Sequence, residues 1–364
     1  MDKKMPRNID IELKENFSDI KNRHVKLLEA KRGCLIWTSL PEETRIAETC
    51  LKVPALEDIN FRSSPLLLSQ MTCERIEKMW NYRKKYRDDS LPCVSPRFGS
   101  GIIAGMITGN LTFSSNTSWI TEIKKTLDDV INFTWGKENE WFDLVLSNLN
   151  YAAQRMKGKA FCALEGYHSP LEFASIIRGS DLYLDIYTAP EKVHQLLKNS
   201  KKALLWLYKK IDMNFYHYNP GVLAYHMWLD KGLNFLSDDA AGLISAEHYR
   251  EFGLPYTDSI LEYYCGGFLH VHTQAYHQID NLRNMKSLTL YNWRQDPNSI
   301  KPVEILVDIA EKSGKIVSIY MTPNEIKANI NILAKGRFII LTDCQDLKEQ
   351  NTIIDLINNK APIE

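Results

Sequence analysis

A parallel α/β sheet, closed as a (β/α)8 TIM barrel behind an N-terminal helical extension, is the fold this sequence predicts. Three observations predict it. Six short apolar segments alternate with helix-like segments over about 200 residues. Helix-start signals, a capping residue followed by Pro or by Glu three positions on, fall between those segments. Polar side chains collect at the C-terminal strand ends: Glu165, Asp238, Asp239, His270, His272, Asn292, Tyr320, Asp343 and Cys344. A doubly wound sheet would also fit the alternation, but a barrel gathers such ends on one face, where its chemistry sits, and is favoured by them.

The elements follow in chain order. Residues 1–32 are polar and predict one or two surface helices. Glu74–Ser90 predicts a charged, solvated helix. Ser95–Asn110 is Gly-rich and apolar but lacks the spacing of a phosphate-cradling loop. The early barrel strands are expected within residues 34–135. Lys159–Tyr167 predicts a buried strand. After it, Ser169, Pro170 and Glu172 form a capping-box signature. A second box, Thr188 to Glu191, predicts a helix to about Lys210. Leu233–Asp238 reads as strand, Ser245–Cys265 as helix, Phe268–Thr273 and Leu288–Trp293 as strands, and PVEILVDIAEK as helix. Lys315–Met321 is the next strand, and Thr322 to Glu325 caps the helix after it. Arg337–Asp343 is the last strand, and a helix closes the chain.

Composition narrows the function. The 364 residues carry 45 basic and 45 acidic side chains, so no basic field for nucleic acid or anionic lipid is implied. No apolar run reaches membrane-spanning length, and the N-terminus lacks the apolar stretch of a signal peptide. Seven cysteines at irregular spacing, with no CxxC, predict free thiols in a reducing cytoplasm. The sequons at Asn16, Asn110, Asn116 and Asn132 are then chance matches.

HVHTQAYH holds three of the nine histidines. His270 and His272, two apart on a strand, leave the same face. Paired imidazoles at one rim suit a metal, and Cys344, ending another strand, would add a third nitrogen or sulfur ligand with a fourth position open, the pattern of catalytic zinc. Hydrogen bonding alone would equally account for the two histidines, and packing for an inert Cys344. His277 lies past the strand as a loop histidine. Asp238, Asp239 and Glu165 are the candidate substrate-contacting or catalytic carboxylates.

HSPLEFASIIRGSDLYLDIYTAPEKVHQLL and SDDAAGLISAEHYREFGLPYTDSILEYYCGGFLHVHT together resemble the uroporphyrinogen decarboxylase superfamily. The second segment matches its pattern at Asp239, Gly242, Ile244, Ser245, Tyr249, Phe252 and Pro255. The resemblance covers about residues 92–360. It implies a single barrel domain spanning residues 1–364, with 1–91 as helical extension and 92–364 as barrel. The decarboxylase branch carries an Arg-rich loop that this chain lacks. The other branch comprises corrinoid-dependent methyltransferases with His-x-Cys at one strand end and Cys at the last, holding zinc. Carried over, that set falls on His270, His272 (where a cysteine is expected) and Cys344. The resemblance thus implies a zinc-dependent enzyme moving a methyl group between a methylated corrinoid protein and a thiol or other small acceptor. This chain lacks D-x-H-x-x-G, so the methylcorrinoid would arrive on a partner protein. The alternative is a metal-free lyase that acts on or binds a polycarboxylate, with Arg97 and Arg178 as the basic residues placed to meet it.

Overall fold

The computed structural model describes residues 11–50, 54–121, 126–164, 166–215, 218–219, 221–224, 226–229, 234–264 and 266–364. Thirteen strands fall among them: β1 Gly33–Ser39, β2 Cys93–Val94, β3 Thr112–Phe113, β4 Ser118–Trp119, β5 Phe161–Cys162, β6 Tyr167–His168, β7 Val222–Ala224, β8 Met227–Leu229, β9 Asn234–Ser237, β10 Gly267–His272, β11 Leu288–Arg294, β12 Ile316–Tyr320 and β13 Arg337–Asp343. Seven make one parallel sheet in the order β1-β13-β12-β11-β10-β9-β6. Parallel neighbours need crossovers, and helices supply them. Leu254–Tyr263, Ile279–Asn284, Leu306–Lys312 and Pro323–Leu333 each return the chain between consecutive strands from β9 to β13. The fold is therefore mixed α/β, as the alternation predicts. No closed barrel is found among the described residues: β2 and β5 form a separate parallel pair.

The free edge of β1 explains part of that break. Its Ile36 and Thr38 N–H groups donate to side-chain carboxylates, Asp89 Oδ2 at 2.8 Å and Asp88 Oδ2 at 2.9 Å, rather than to a strand. Carboxylates thus cover the edge that a next strand would pair with.

The two faces of the sheet bury different partners. Ile36, Ile340, Val317, Tyr291, Trp293, Leu269 and Val271 pack under the helices in the main core. On the other face Leu35, Ile339, Ile316, Leu290, Phe268 and Phe235 meet Leu27, Met227, Leu229 and Ile363. Burial of each such side chain stabilises by about 1.5–3 kcal/mol. Along that second face the chemistry then switches. One residue pair further, the register aligns His168 with Ser237, Ser237 with His270, His270 with Asn292, and Asn292 with Ser318. A polar layer across five strands therefore lies directly above an apolar one.

Several local expectations shift. The helix predicted at Glu74–Ser90 runs Leu67–Arg83 and buries Leu68, Met71, Cys73 and Trp80, so it is a packed helix and not a solvated one. Its charged stretch obscured the apolar residues before it. Thr188 does not cap a helix. It ends the helix Asp181–Thr188 with its hydroxyl on Leu184 O, and Pro190 starts the next helix. The helix predicted from Ser245 contains a π-helical turn at Tyr249–Gly253. Among the described residues no helix is long and apolar enough to cross a membrane.

Candidate metal centre

Asp239, His270 and His272 come together at the C-terminal ends of β9 and β10, one ligand atom from each within 4.8 Å of the others. The two histidines share a face because they are two apart on β10. Their Nε2 atoms stand 3.1 Å from each other, and Asp239 Oδ1 stands 3.5 Å from His272 Nε2. Two imidazoles and a carboxylate with open positions are a ligand set used by catalytic zinc and by non-haem iron.

The surrounding hydrogen bonds fix which nitrogens point inward. Asn292 Nδ2 donates to Ser318 O at 3.1 Å, which turns Asn292 Oδ1 toward His270 Nδ1 at 2.9 Å. An amide oxygen only accepts, so Nδ1 of His270 carries the hydrogen. His272 Nδ1 faces Asp296 Oδ1 at 2.5 Å, and a carboxylate likewise makes it the donor. Both Nε2 atoms then present lone pairs to each other. A cation or a shared proton between them removes that repulsion, and the residues present fit a divalent metal. Burial, opposed by Asp239 and assisted by the His272 charge, pushes the His270 imidazolium pKa down, which favours the neutral ring.

Asp239 is held from behind. It leads the short 3-10 turn Asp239–Leu243, whose Ala240 N–H donates to Glu172 Oε2 at 2.8 Å, and Ser237 Oγ donates to Asp239 Oδ1 at 3.2 Å. Glu172 is therefore not the reciprocal half of a capping box. Ser169 Oγ does accept the Glu172 N–H at 3.0 Å, but the Ser169 N–H goes to Ser237 O, which frees the Glu172 carboxyl for the turn. Burial, then the charges of Asp239 and Asp238, push Glu172 up to about 8.

The other predicted residues fall as follows. Asp238 is fully buried beneath the rim. Its Oδ2 accepts from the Tyr249 hydroxyl at 2.8 Å, and burial pushes its carboxyl up to about 7 against the Tyr249 and Ser169 hydroxyls. It supports the turn and does not face solvent. Glu165 lies outside the described residues. Cys344 is a correction. It does not join the histidines: its backbone bonds to Ser39 O, its side chain is buried with Leu40 and Tyr86, and burial pushes its thiol up to about 12. The cause is topological, since β11 and β12 stand between β10 and the strand that Cys344 follows. Asp239, and not Cys344, stands with the two histidines. His277 is a bystander, as expected, with Nε2 on Ile244 O at 2.8 Å. Arg178 pairs with Asp181 and Asp185, away from the rim.

Sequence reasoning missed Asn292 as an orienting group and Asp296 altogether. Asp296 had a readable signal. In Asp296-Pro297-Asn298-Ser299 the Ser299 N–H bonds to Asp296 O, and Asn298 has φ +61°, the Pro-then-positive-φ pattern of a type II turn. His168, on β6, was also missed. It is buried, and neither ring nitrogen completes a hydrogen bond, although the Ser100 backbone approaches it.

The chain matches no protein-family model, and no curated protein matches it at a significant level.

Proposed function

We propose that the chain is a metal-dependent enzyme built on a (β/α)8 barrel, with one divalent ion, assigned as zinc from the resemblance, held by Asp239, His270 and His272. The observation that carries the reading is the facing pair of His270 and His272 Nε2 atoms, 3.1 Å apart, with both Nδ1 atoms committed as donors.

The activity assigned is methyl transfer from a methylated corrinoid on a partner protein to a thiol or other small acceptor. The sequence segments around Asp239 and His270 support it. A divalent ion here would supply a Lewis acid that lowers the pKa of a bound thiol or water. His270 and His272 orient the acceptor's position. Asn292 and Asp296 keep their tautomers, and Glu172 and Asp238 hold the turn that presents Asp239. One carboxylate in place of the expected Cys344 thiolate makes the site harder, which suits oxygen acceptors as well as thiols.

A second reading, a metal-free lyase acting on or binding a polycarboxylate, draws on the same 3.1 Å separation, which a shared proton also satisfies. Metal analysis of natively purified protein separates the two. About one zinc-class ion per chain is expected, lost in Asp239→Ala and His270→Ala but kept in Cys344→Ala. Methyl transfer from methylcobalamin to thiols should vanish with chelator. Metal-free protein with chelator-insensitive turnover would establish the lyase, and loss of metal in Cys344→Ala would reinstate the thiolate ligand.

A further inference from the structure

β11 places Leu290, Asn292 and Arg294 on one face, in register with Phe268, His270 and His272 of β10. Leu290 belongs to the inner core and Asn292 holds His270. Tyr291 and Trp293 point the other way, into the helix-covered core. Arg294 therefore leaves the strand at the rim, beside His272. It is exposed, it pairs with His272 in the register of β10 and β11, and its guanidinium makes no hydrogen bond or ion pair among the described residues.

A guanidinium without a carboxylate is notable among this many acids. Asp296 is engaged by His272, Asp343 by Ser39 and Tyr320, Asp239 by Ser237, and Glu172 by Ala240. With a divalent ion in place, Asp239 and Asp296 balance its charge and the two imidazoles are neutral. Arg294 then remains as one uncompensated positive charge on the wall of the site, suited to one anionic group.

We propose that Arg294 is the substrate's anion anchor. It holds the carboxylate of a small molecule whose other end, a thiol or hydroxyl, occupies the metal's open positions. The planar guanidinium fork matches a carboxylate through two parallel charge-assisted hydrogen bonds, which a point charge does not reproduce. Substrates of this site are then short carboxylic acids with a terminal nucleophile. This inference rests on the metal reading above.

The test uses the full chain loaded with cobalt(II), whose absorption reports thiolate binding. Three probes of similar length are titrated: 3-mercaptopropionate, 2-mercaptoethanol and cysteamine. The unmodified protein should bind 3-mercaptopropionate roughly tenfold more tightly than 2-mercaptoethanol, and cysteamine least. In Arg294→Gln that ratio should fall to within about twofold, with cobalt stoichiometry and 2-mercaptoethanol affinity unchanged. Comparing the ratio between proteins cancels the intrinsic acidities of the thiols. Arg294→Lys should retain part of the preference. An unmodified protein that does not discriminate, or a preference surviving Arg294→Gln, overturns the anchor alone. Failure of the unmodified protein to take cobalt overturns the metal reading and the anchor with it.

Discussion

Two polar clusters flank the sheet, and they differ in how completely their groups are paired. On the free edge of β1, Lys14 Nζ donates to Tyr86 O, Asp88 O and Asp88 Oδ1, each at 2.9 Å. Arg83 bonds Glu43, Thr38 O, Asp88 and Ser90, leaving only Nε unused. At the ends of β6 to β12 the polar layer is less deeply buried and much less complete. Both His168 nitrogens, Ser318 Oγ and Asp296 Oδ2 have no partner, and two imidazole lone pairs face each other. A buried polar group left unpaired costs about 1–3 kcal/mol. The first cluster holds the extension to the sheet. The second keeps unmet bonding capacity where a ligand would use it. Clustered polar groups are common to both, and completeness of pairing separates structure from site.

The comparison breaks most sharply at Asp88. Burial pushes its carboxyl up, but Lys14, Arg83, Ser90 and the Thr38 N–H outweigh that and hold it down to about 2. Asp88→Ala leaves Lys14 and Arg83 uncompensated, and about 3–5 kcal/mol of stability should be lost in urea unfolding. The folded fraction should bind metal as before. A loss under about 1 kcal/mol would make the cluster an ornament and not a clasp.

Acid should separate the two regions. His168 is pushed down to about 4 by burial, from an ordinary value of 6.5. Below pH 6.5 the unfolded chain takes a proton that the folded chain refuses, so the His168 contribution falls as pH drops from about 6.5 toward 4, while the raised carboxyls of Glu172 and Asp238 act in the opposite sense over that window. Asp88, with its lowered pKa, keeps its contribution until pH falls below 3.8 toward 2. His168→Leu should make the change in stability from pH 7 to pH 5 more favourable by about 2 kcal/mol, with Glu172, Asp238 and His24 setting the slope that remains. An unchanged slope would show that His168 protonates freely, and so is not the unmet group described.

Much of this was legible beforehand, and the failures have physical causes. The strands from β9 on carry β-branched and aromatic runs between caps, so local pattern located them. β2 and β5 are two residues long and carry no period, and β1 leans on carboxylates that no strand pattern encodes. His270 and His272 were legible because a two-residue spacing fixes a common face. Asp239 was legible as a rim carboxylate but not as a ligand, since its approach depends on a turn held by Glu172, 68 residues away. Cys344 misled because barrel reasoning places every strand end on one rim but does not say which ends are neighbours. Arg294 followed two readable strand residues and was overlooked for being charged.

Within the site, the groups that orient ligands should matter less than the ligands. Asp296→Ala frees the His272 ring to turn and to change tautomer. Metal affinity, read by competition with a chromophoric chelator, should weaken roughly 10–100-fold, with stability changed by less than about 1 kcal/mol. Asp296→Asn keeps an accepting oxygen and should recover part of the affinity. Equal affinity in all three proteins would place His272 outside the centre.

The smallest effect expected is at Tyr249, and it sharpens the comparison from the structural side of the site. The π-helical turn Tyr249–Gly253 widens the helix so that the Tyr249 ring lies beneath Asp238, and a Cβ on Gly253 would come within 2.4 Å of that ring. Tyr249→Phe removes one donor from a carboxyl that still has the Thr257 hydroxyl at 3.5 Å. The expected cost is about 1 kcal/mol in stability. Because Asp238 N bonds to His270 O while Asp239 follows directly, the same change should loosen the turn and weaken metal binding a few-fold, less than Asp296→Ala does. Gly253→Ala displaces the ring itself and should lower stability by more than Tyr249→Phe. Were Tyr249→Phe to lose stability with no change in metal affinity, Asp238 would belong with Asp88 among the clasps, and the boundary between the two clusters would run between Asp238 and Asp239.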